Sequence, residues 1–366
     1  MMKKSHLKSM LLITLLPITA YANINSIELV DQHAQLLLHM QIDENYEMQT
    51  SSNLIDWLPV ETLSTETSSG TWNVLINQTN AFFLLDKIDS TTNVLQSADV
   101  LEVIQSWSQE QNYTRTTKVI VPAGSGPHPV LIAIHGNGGN TNYVNQYNFL
   151  DQYIRIAPQG YKKSWNIDRE TSKAPDVDFI RNLILQLRTY SNVDASRIVI
   201  IGSSNGAALI NRLLIELNGA LFQTAIKLTG QLNTDQYNQN QFWHDPTGGN
   251  AYDTSTDPAQ RRRILSIVGT VDTVVPYAGG NGVLGYQFLD AQESLYLFAK
   301  QMGYIGSQLT ENQGIQIDNE VYQFSYLDGD VIMAKLVGAN HGLQPFINHF
   351  QDGRIKNILK TFLNHP

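Results

Sequence analysis

Short apolar runs alternate with stretches of helical spacing through the last two thirds of the chain. The apolar runs, rich in β-branched residues, cover residues 117–121, 130–134, 154–157, 198–201, 225–228, 264–268 and 331–336. Apolar residues recur at helical spacing in residues 177–187, 209–217 and 289–302. Apolar strands separated by helices are typical of a mostly parallel sheet with helices on both faces. We therefore predict an α/β fold for this part of the chain.

Residues 23–90 show a different pattern, in which short β-rich runs are separated by polar turn clusters. The runs cover residues 26–40, 46–50, 57–62, 71–76 and 81–85. This spacing predicts a small antiparallel β module. Its strings at residues 51–57 and 82–85 resemble small β-sandwich modules attached to many exported bacterial proteins. Two interpretations stay open: the module holds a substrate or attaches to a surface, or it is a spacer or lid.

Residues 91–104 connect the two parts. The polar stretch ending at Asn93 predicts a linker, and Val100, Leu101, Ile104 and Trp107 have the spacing of a short helix. The predicted α/β domain then occupies residues 105–366.

The first 22 residues have the three parts of a secretory signal peptide. Three lysines precede an apolar run at residues 10–19, and Ala20-Tyr21-Ala22 forms a cleavage site of small residues. The apolar run is too short to span a bilayer. We expect cleavage after Ala22 and a mature protein that is secreted or periplasmic.

Composition excludes several classes of partner. Without the three lysines of the leader, 21 basic residues face 33 acidic ones, which leaves a net charge near −12. Such a surface disfavours nucleic acid and anionic membranes, so we expect neither binding to nucleic acid nor membrane insertion. The chain has no cysteine, so the exported protein has no disulfide and depends on its hydrophobic core. The oligomeric state is left open.

The sequence Gly202-Ser203-Ser204-Asn205-Gly206 follows the apolar run at residues 198–201 and precedes a helical pattern. A G-x-S-x-G motif between a strand and a helix is a nucleophile elbow, which exposes the serine hydroxyl above the sheet. The alternative is a chance glycine-serine turn. The context favours Ser204 as a nucleophile.

A serine needs a base, and a base needs a group that orients it. The run at 264–268 leads to Asp272, and the run at 331–336 leads to His341. Because ligands gather at the carboxyl ends of parallel strands, we predict that Ser204, His341 and Asp272 form a catalytic triad. Asp328 and Asp330 precede their strand and are weaker candidates for the acid.

A glycine-rich turn, His135-Gly136-Asn137-Gly138-Gly139, follows the run at 130–134. In this position a backbone N–H can approach developing negative charge. We predict an oxyanion hole made by the backbone N–H groups of Asn137, Gly138 and Asn205. A phosphate-binding loop is disfavoured because no lysine follows at the required spacing. No residues have metal-ligand spacing, and neither a metal nor another cofactor is expected.

Five motifs in order resemble the polyhydroxybutyrate depolymerase and feruloyl esterase group of secreted α/β-hydrolases, over about residues 105–366. They are the turn at 135–139, Ala157-Pro158-Gln159-Gly160 with Ser164-Trp165-Asn166, Asp176–Ile180, the elbow at 202–206, and Gly269–Asp272 with Val275-Pro276-Tyr277. The resemblance implies an α/β-hydrolase fold and hydrolysis of carboxylic esters in or on polymers, without a cofactor. Unlike many of the group, the chain lacks cysteines, and residues 229–263 form a longer connection.

That connection contains a polar stretch with scattered aromatic residues, at residues 233–257. A long connection near an active site is often functional, so we predict a lid or a stacking wall, with an ordered surface loop as the alternative. We expect substrate contacts from His135, Trp165 and Trp243.

The predicted function is a secreted serine esterase that releases acyl groups such as ferulate or acetate from a polysaccharide, or acts on a small ester. The first alternative is a depolymerase of an aliphatic polyester such as polyhydroxybutyrate. The others are a peptidase or acyltransferase with the same triad and, in another class, a non-catalytic polymer-binding protein on a hydrolase scaffold.

Overall fold

The computed structural model describes residues 93–217, 221–245, 251–258, 261–346 and 353–364 in full, and the backbone of seven strands between residues 12 and 88. The chain divides into two units, Met1–Asn93 and Val94–Pro366. Residues 16–21 and 89–92, which hold most of the predicted cleavage site and linker, lie outside the described residues.

The described residues of the first unit form strands, which overlap the β-rich runs of the sequence. They are β1 (Leu12–Leu15), β2 (Ala22–Val30), β3 (His33–Met40), β4 (Asn45–Ser51), β5 (Leu58–Ser64), β6 (Ser69–Leu75) and β7 (Asn80–Ile88). They form two sheets, with strand orders β1-β7-β4-β5 and β2-β3-β6. All described pairs are antiparallel except β1 with β7. Strand β1 lies in the predicted leader, so cleavage after Ala22 would remove it.

The second unit alternates strands and helices. Its strands are β8 (Leu101–Trp107), β9 (Glu110–Ile120), β10 (His128–Ile134), β11 (Ile154–Pro158), β12 (Val193–Ser203), β13 (Thr224–Leu228), β14 (Tyr237–Asn238), β15 (Gln241–His244), β16 (Thr254–Thr256), β17 (Arg263–Gly269), β18 (Gly280–Asn281), β19 (Gln287–Phe288), β20 (Ile315–Asp318), β21 (Val321–Tyr326) and β22 (Val331–Leu336). Its α-helices are α1 (Asp176–Leu187), α2 (Asn205–Glu216), α3 (Ala291–Gln301) and α4 (Arg354–Asn364). No helix among the described residues has both the length and the apolar character needed to cross a membrane.

Ten strands form the central sheet, in the order β20-β21-β22-β17-β13-β12-β10-β11-β9-β8. The six strands from β22 to β11 run parallel, and the strands at both edges pair antiparallel. The parallel strands are almost wholly buried because helices cover the sheet, which explains their apolar sequences. This is the α/β-hydrolase fold, which confirms the predicted fold class.

The predicted short helix between the two units is wrong, because residues Leu101–Trp107 form strand β8. Leu101, Val103 and Gln105 are buried while Ile104 is 67% exposed, so the side chains alternate with the period of a strand. Val100 and Ile104, which suggested helical spacing, both point to solvent. The predicted start of the α/β domain at residue 105 therefore lies inside its first strand.

Candidate active site

Ser204 lies at the turn between strand β12 and helix α2, with φ of 53° and ψ of −119°. A positive φ is strained for a residue with a side chain, and such strain is held in place by tight surroundings. The flanking glycines provide them. A Cβ at Gly202 would lie 2.7 Å from the backbone of Gly206, and a Cβ at Gly206 would lie 2.4 Å from the carbonyl oxygen of Ile134. The close approach of strand, turn and helix explains both glycines.

The structure brings the three residues of the predicted triad together. The Nε2 atom of His341 lies 2.8 Å from Ser204 Oγ, and its Nδ1 atom lies 2.8 Å from Asp272 Oδ2. In the tautomer that fits both contacts, Nδ1–H donates to the carboxylate and Nε2 accepts from the hydroxyl. The Asp272 side chain is nearly buried, and that of His341 is about a quarter exposed. The imidazole can thus reach both the serine and a substrate.

Backbone contacts fix the acid. The second oxygen of Asp272, Oδ1, accepts hydrogen bonds from the N–H groups of Val274 at 2.8 Å and Val275 at 2.9 Å. The loop that carries Asp272 packs against the loop that carries His341, since Val271 N donates to Ala339 O at 3.0 Å. These loops follow the adjacent parallel strands β17 and β22, so the sheet sets the spacing of acid and base.

Asn137, Ser204 and Asn205 line the same cavity, as an oxyanion hole requires. Asn205 is the first residue of helix α2, where a backbone N–H has no helical acceptor. The prediction for Gly138 is wrong, because its N–H donates to the carbonyl oxygen of Lys163 at 2.8 Å. Two amides, those of Asn137 and Asn205, therefore stay as candidate oxyanion donors.

The cavity in front of Ser204 has a volume of about 230 Å³ and is mostly apolar. We call it the Ser204 cavity. It is lined by Asn137, Ile167, Glu170, Ser204, Asn205, Ala208, Gly230, Gln231, Asn233, Val274, Val275, Val283, Leu284, Tyr286 and Phe288. Its apolar side chains come largely from the segment that follows Asp272. The cavity suits the apolar part of a small acyl or alcohol group.

His135 does not contact this cavity, so its predicted role in substrate binding is wrong. The ring is buried, and Nε2 accepts the backbone N–H of Gly160 at 3.1 Å while Nδ1 donates to Gly136 O at 2.7 Å. The pKa of His135 is lowered, because the effect of burial is larger than that of the Gly136 hydrogen bond, which raises it. The neutral ring ties the end of β11 to the turn after β10.

The predicted contact of Trp165 is also wrong, and that of Trp243 stays a prediction. Trp165 is fully buried beside His135, and its indole N–H donates to the carbonyl oxygen of His135 at 2.7 Å. Trp243 lies on strand β15, and its indole N–H donates to Asn238 O at 3.2 Å. Neither side chain lines the Ser204 cavity. The indole rings suggested stacking on a substrate, but both indole N–H groups donate to backbone carbonyl oxygens of the chain.

Part of the predicted lid packs on the body of the domain. Phe242 is buried against Phe298 of helix α3, with ring centroids 5.1 Å apart. The hydroxyl of Tyr252 donates to Ile167 O. Residues 246–250 of this connection lie outside the described residues. The lid or wall hypothesis for residues 233–257 therefore stays a prediction.

The segment at residues 283–288, which we call the strap, forms a cavity wall that the sequence did not predict. Val283, Leu284, Tyr286 and Phe288 all face the cavity. Arg169 holds the strap: its guanidinium donates to Gly285 O and lies 4.8 Å from the Tyr286 ring centroid. Glycines at 282 and 285 signal turns here, but nothing in the sequence links these turns to Ser204.

Glu170 is a second residue that the sequence did not indicate. Its carboxylate lines the cavity, and the residue is 9% exposed.

Among the described residues, no group of three or more histidine, cysteine, aspartate or glutamate side chains is arranged to hold a metal ion.

A scan against protein-family models finds no match, and a search of curated proteins finds none either. Solved structures do align. An acetyl xylan esterase from Aspergillus awamori is 16% identical with a TM-score of 0.47, covering 72% of this chain and 99% of that one. Esterase 2 from Thermogutta terrifontis is 14% identical, with a TM-score of 0.43, over 74% and 98%. The poly(3-hydroxybutyrate) depolymerase LpqC from Bordetella parapertussis is 15% identical, with a TM-score of 0.40, over 55% and 76%. Strand order, rather than these likenesses, identifies the fold.

Proposed function

We propose that the protein is a secreted serine hydrolase of carboxylic esters. The continuous hydrogen-bonded chain from Ser204 Oγ through His341 to Asp272 Oδ2, with both distances at 2.8 Å, carries this function. A serine on a strained elbow, a base and a buried carboxylate are the groups that acyl transfer needs.

In the first half of the reaction, His341 Nε2 takes the hydroxyl proton as Ser204 Oγ attacks the ester carbonyl. The backbone N–H groups of Asn137 and Asn205 stabilise the negative oxygen of the tetrahedral intermediate. Asp272 stabilises the imidazolium that forms. The imidazolium then gives its proton to the leaving alcohol, and an acyl-enzyme stays on Ser204.

In the second half, His341 takes a proton from water, which attacks the acyl carbonyl. The same two amides hold the second oxyanion, and the proton returns to Ser204 as the acid leaves. All protons pass through one imidazole, so no cofactor is required by this sequence of steps.

We further propose that the substrate is an ester in or on a polymer, of the feruloyl or acetyl type on a polysaccharide. The apolar Ser204 cavity supports a small acyl group. A unit whose described residues form β-strands suits a protein that acts at a polymer. The leader over residues 1–22 would export the chain. A solved acetyl xylan esterase and a polyhydroxybutyrate depolymerase are among the aligned structures.

A side-by-side assay tests ester hydrolysis and the choice of substrate separately. The purified protein is given p-nitrophenyl acetate, acetylated and feruloylated arabinoxylan, and a polyhydroxybutyrate film. We expect release of p-nitrophenol and of acyl groups from arabinoxylan. Clearing of the film alone would favour the polyester alternative. Hydrolysis of no ester above the level of the Ser204→Ala variant would contradict the function itself.

A further inference from the structure

Glu170 is a buried carboxylate beside the proposed nucleophile, and its hydrogen bonds join two parts of the site. It lies in the irregular segment between strand β11 and helix α1. Oε2 accepts the N–H groups of Ile167 at 3.0 Å and Asp168 at 2.9 Å, and the hydroxyl of Tyr286 at 3.1 Å. Oε1 accepts Nδ2–H of Asn205 at 3.2 Å. These four donors are all neutral groups.

On one side the carboxylate fixes Asn205, the residue whose backbone N–H is a proposed oxyanion donor. The Asn205 amide also accepts the N–H of Trp165 at 2.7 Å and donates to the carbonyl oxygen of Trp165 at 3.0 Å. Trp165 thus holds both ends of the amide, and Glu170 accepts a second hydrogen bond from Nδ2. An amide held in this way restricts rotation of the peptide between Ser204 and Asn205, which aims the oxyanion donor.

On the other side the carboxylate fixes the strap. Tyr286 is buried in the cavity wall, and its hydroxyl accepts the N–H of Arg169 at 2.9 Å while donating to Glu170. Burial and then the charge of Glu170 raise the pKa of Tyr286 well above its ordinary value, so the hydroxyl stays a donor. The Tyr286 ring and the oxyanion amide thus depend on one carboxylate.

We propose that Glu170 is a positioning residue that holds the Asn205 amide and the Tyr286 wall in a fixed relation to Ser204. This role rests on the proposed ester hydrolysis. Glu170 does not transfer a proton in it. It lowers the cost of forming the tetrahedral intermediate by keeping a donor and a wall in the geometry that the intermediate needs.

Glutamine at position 170 separates this role from simple space filling. Glutamine has nearly the same shape, but only one of its terminal atoms accepts hydrogen bonds. In Glu170→Gln, the amide oxygen can serve either the backbone and Tyr286 donors or Asn205, but not both sets. The variant must therefore release one of the two sides.

The experiment compares wild type, Glu170→Gln, Tyr286→Phe and the double variant, with Glu216→Gln as a matched control. Glu216 is similarly buried on helix α2 and pairs with Arg212, and it does not line the cavity. Active sites are titrated with a p-nitrophenyl phosphonate. For each variant kcat and KM are measured, with inhibition constants for an alkyl boronic acid and for an unreactive amide of the same acyl group.

For Glu170→Gln we expect a loss of about 10- to 100-fold in kcat per titrated site, and an equal loss in affinity for the boronic acid, whose adduct resembles the intermediate. The inhibition constant of the amide should change less than about twofold. Tyr286→Phe should give a smaller loss. A double variant no worse than Glu170→Gln would show that glutamine releases Tyr286, and a worse one that it releases Asn205. Glu216→Gln should match wild type.

An unchanged kcat and boronic acid affinity in Glu170→Gln, with only a lower unfolding midpoint, would overturn the positioning role. Failure of the proposed function would give a different result. Wild type would then hydrolyse no ester, and it would bind the boronic acid no more tightly than Ser204→Ala does.

Discussion

The two sides of the Ser204 cavity are built in different ways. On the reacting side, Ser204, Asp272 and His341 each follow a parallel strand of the central sheet, and each is held by hydrogen bonds from neighbouring loops. On the wall side, the strap and Glu170 lie outside the central sheet, and the side chains of Arg169 and Glu170 join them. The sheet thus sets the positions of the reacting groups, while side-chain contacts hold the wall, which Glu170 joins to Asn205.

The largest effect should come from the reacting side, in Asp272→Asn. The amide oxygen will keep the two backbone N–H donors that bond Oδ1, so the amide nitrogen faces His341. Two donors then meet, which forces the imidazole into the tautomer that cannot accept the serine proton. We expect kcat to fall about 10⁴-fold with an unchanged unfolding midpoint. A loss below about tenfold would mean that the carboxylate does not orient the base.

A smaller effect is expected on the wall side, in Leu284→Ala. Leu284 lines the cavity but is 57% exposed, so its removal should cost about 1 kcal/mol of apolar contact, or roughly fivefold in KM for a butyrate ester. The value of kcat should stay near wild type. The matched control is Ile315→Ala, on the edge strand β20, where the side chain is 65% exposed and outside the cavity. Equal kinetics for the two variants would contradict the assignment of the wall.

Trp243→Ala sharpens the same contrast. The indole lies outside the cavity, and its N–H donates to the carbonyl oxygen of Asn238. We therefore expect KM for esters to change less than about twofold. Steady-state kinetics on acetate and butyrate esters check this. An increase in KM larger than that of Leu284→Ala would restore the original interpretation of Trp243 as a substrate contact.

The reacting side of the cavity could be predicted from the sequence, and the wall side could not. Glycines 202 and 206 mark the elbow because their neighbours leave no room for a Cβ, and such a steric demand is visible in a single sequence. Asp272 and His341 could be located because they come directly after apolar strands. Their catalytic role stays a prediction, although the structure brings both within hydrogen-bond distance of their partners.

The wall could not be predicted, because its contacts join residues far apart in the chain. Arg169 and Gly285 are 116 positions apart, and neither has a pattern that indicates the other. Tryptophan was a misleading signal for the same reason, since a buried indole and a stacking platform look alike in sequence. Strand β8 was mistaken for a helix because Ile104 is apolar yet exposed.

The smallest effect on activity, and a clear one on stability, is expected from Lys227 within the apolar strand β13. Its amino group is buried and donates to Asn211 Oδ1 at 2.9 Å, and burial lowers its pKa to about 7. The unfolded lysine has a pKa near 10.4, so between about pH 7 and 10 the unfolded state binds a proton that the folded state lacks. Stability from this group therefore rises with pH, with a slope of up to about 1.4 kcal/mol per pH unit.

Lys227→Met removes this titration, so its unfolding free energy should depend less steeply on pH between 7 and 9 than that of wild type. Urea unfolding at three pH values measures the difference, and kcat should stay within about twofold. Parallel pH profiles for the two proteins would show that Lys227 is charged in the fold.

The central claim is that Ser204 is the nucleophile activated by His341. Mass spectrometry of the protein after treatment with a fluorophosphonate tests it most directly, because the reagent forms a stable adduct with an activated serine. We expect one adduct, mapped to the peptide that contains Ser204, and its formation should slow by several orders of magnitude in His341→Ala. An adduct on another residue, or labelling that is as fast without His341, would contradict the account.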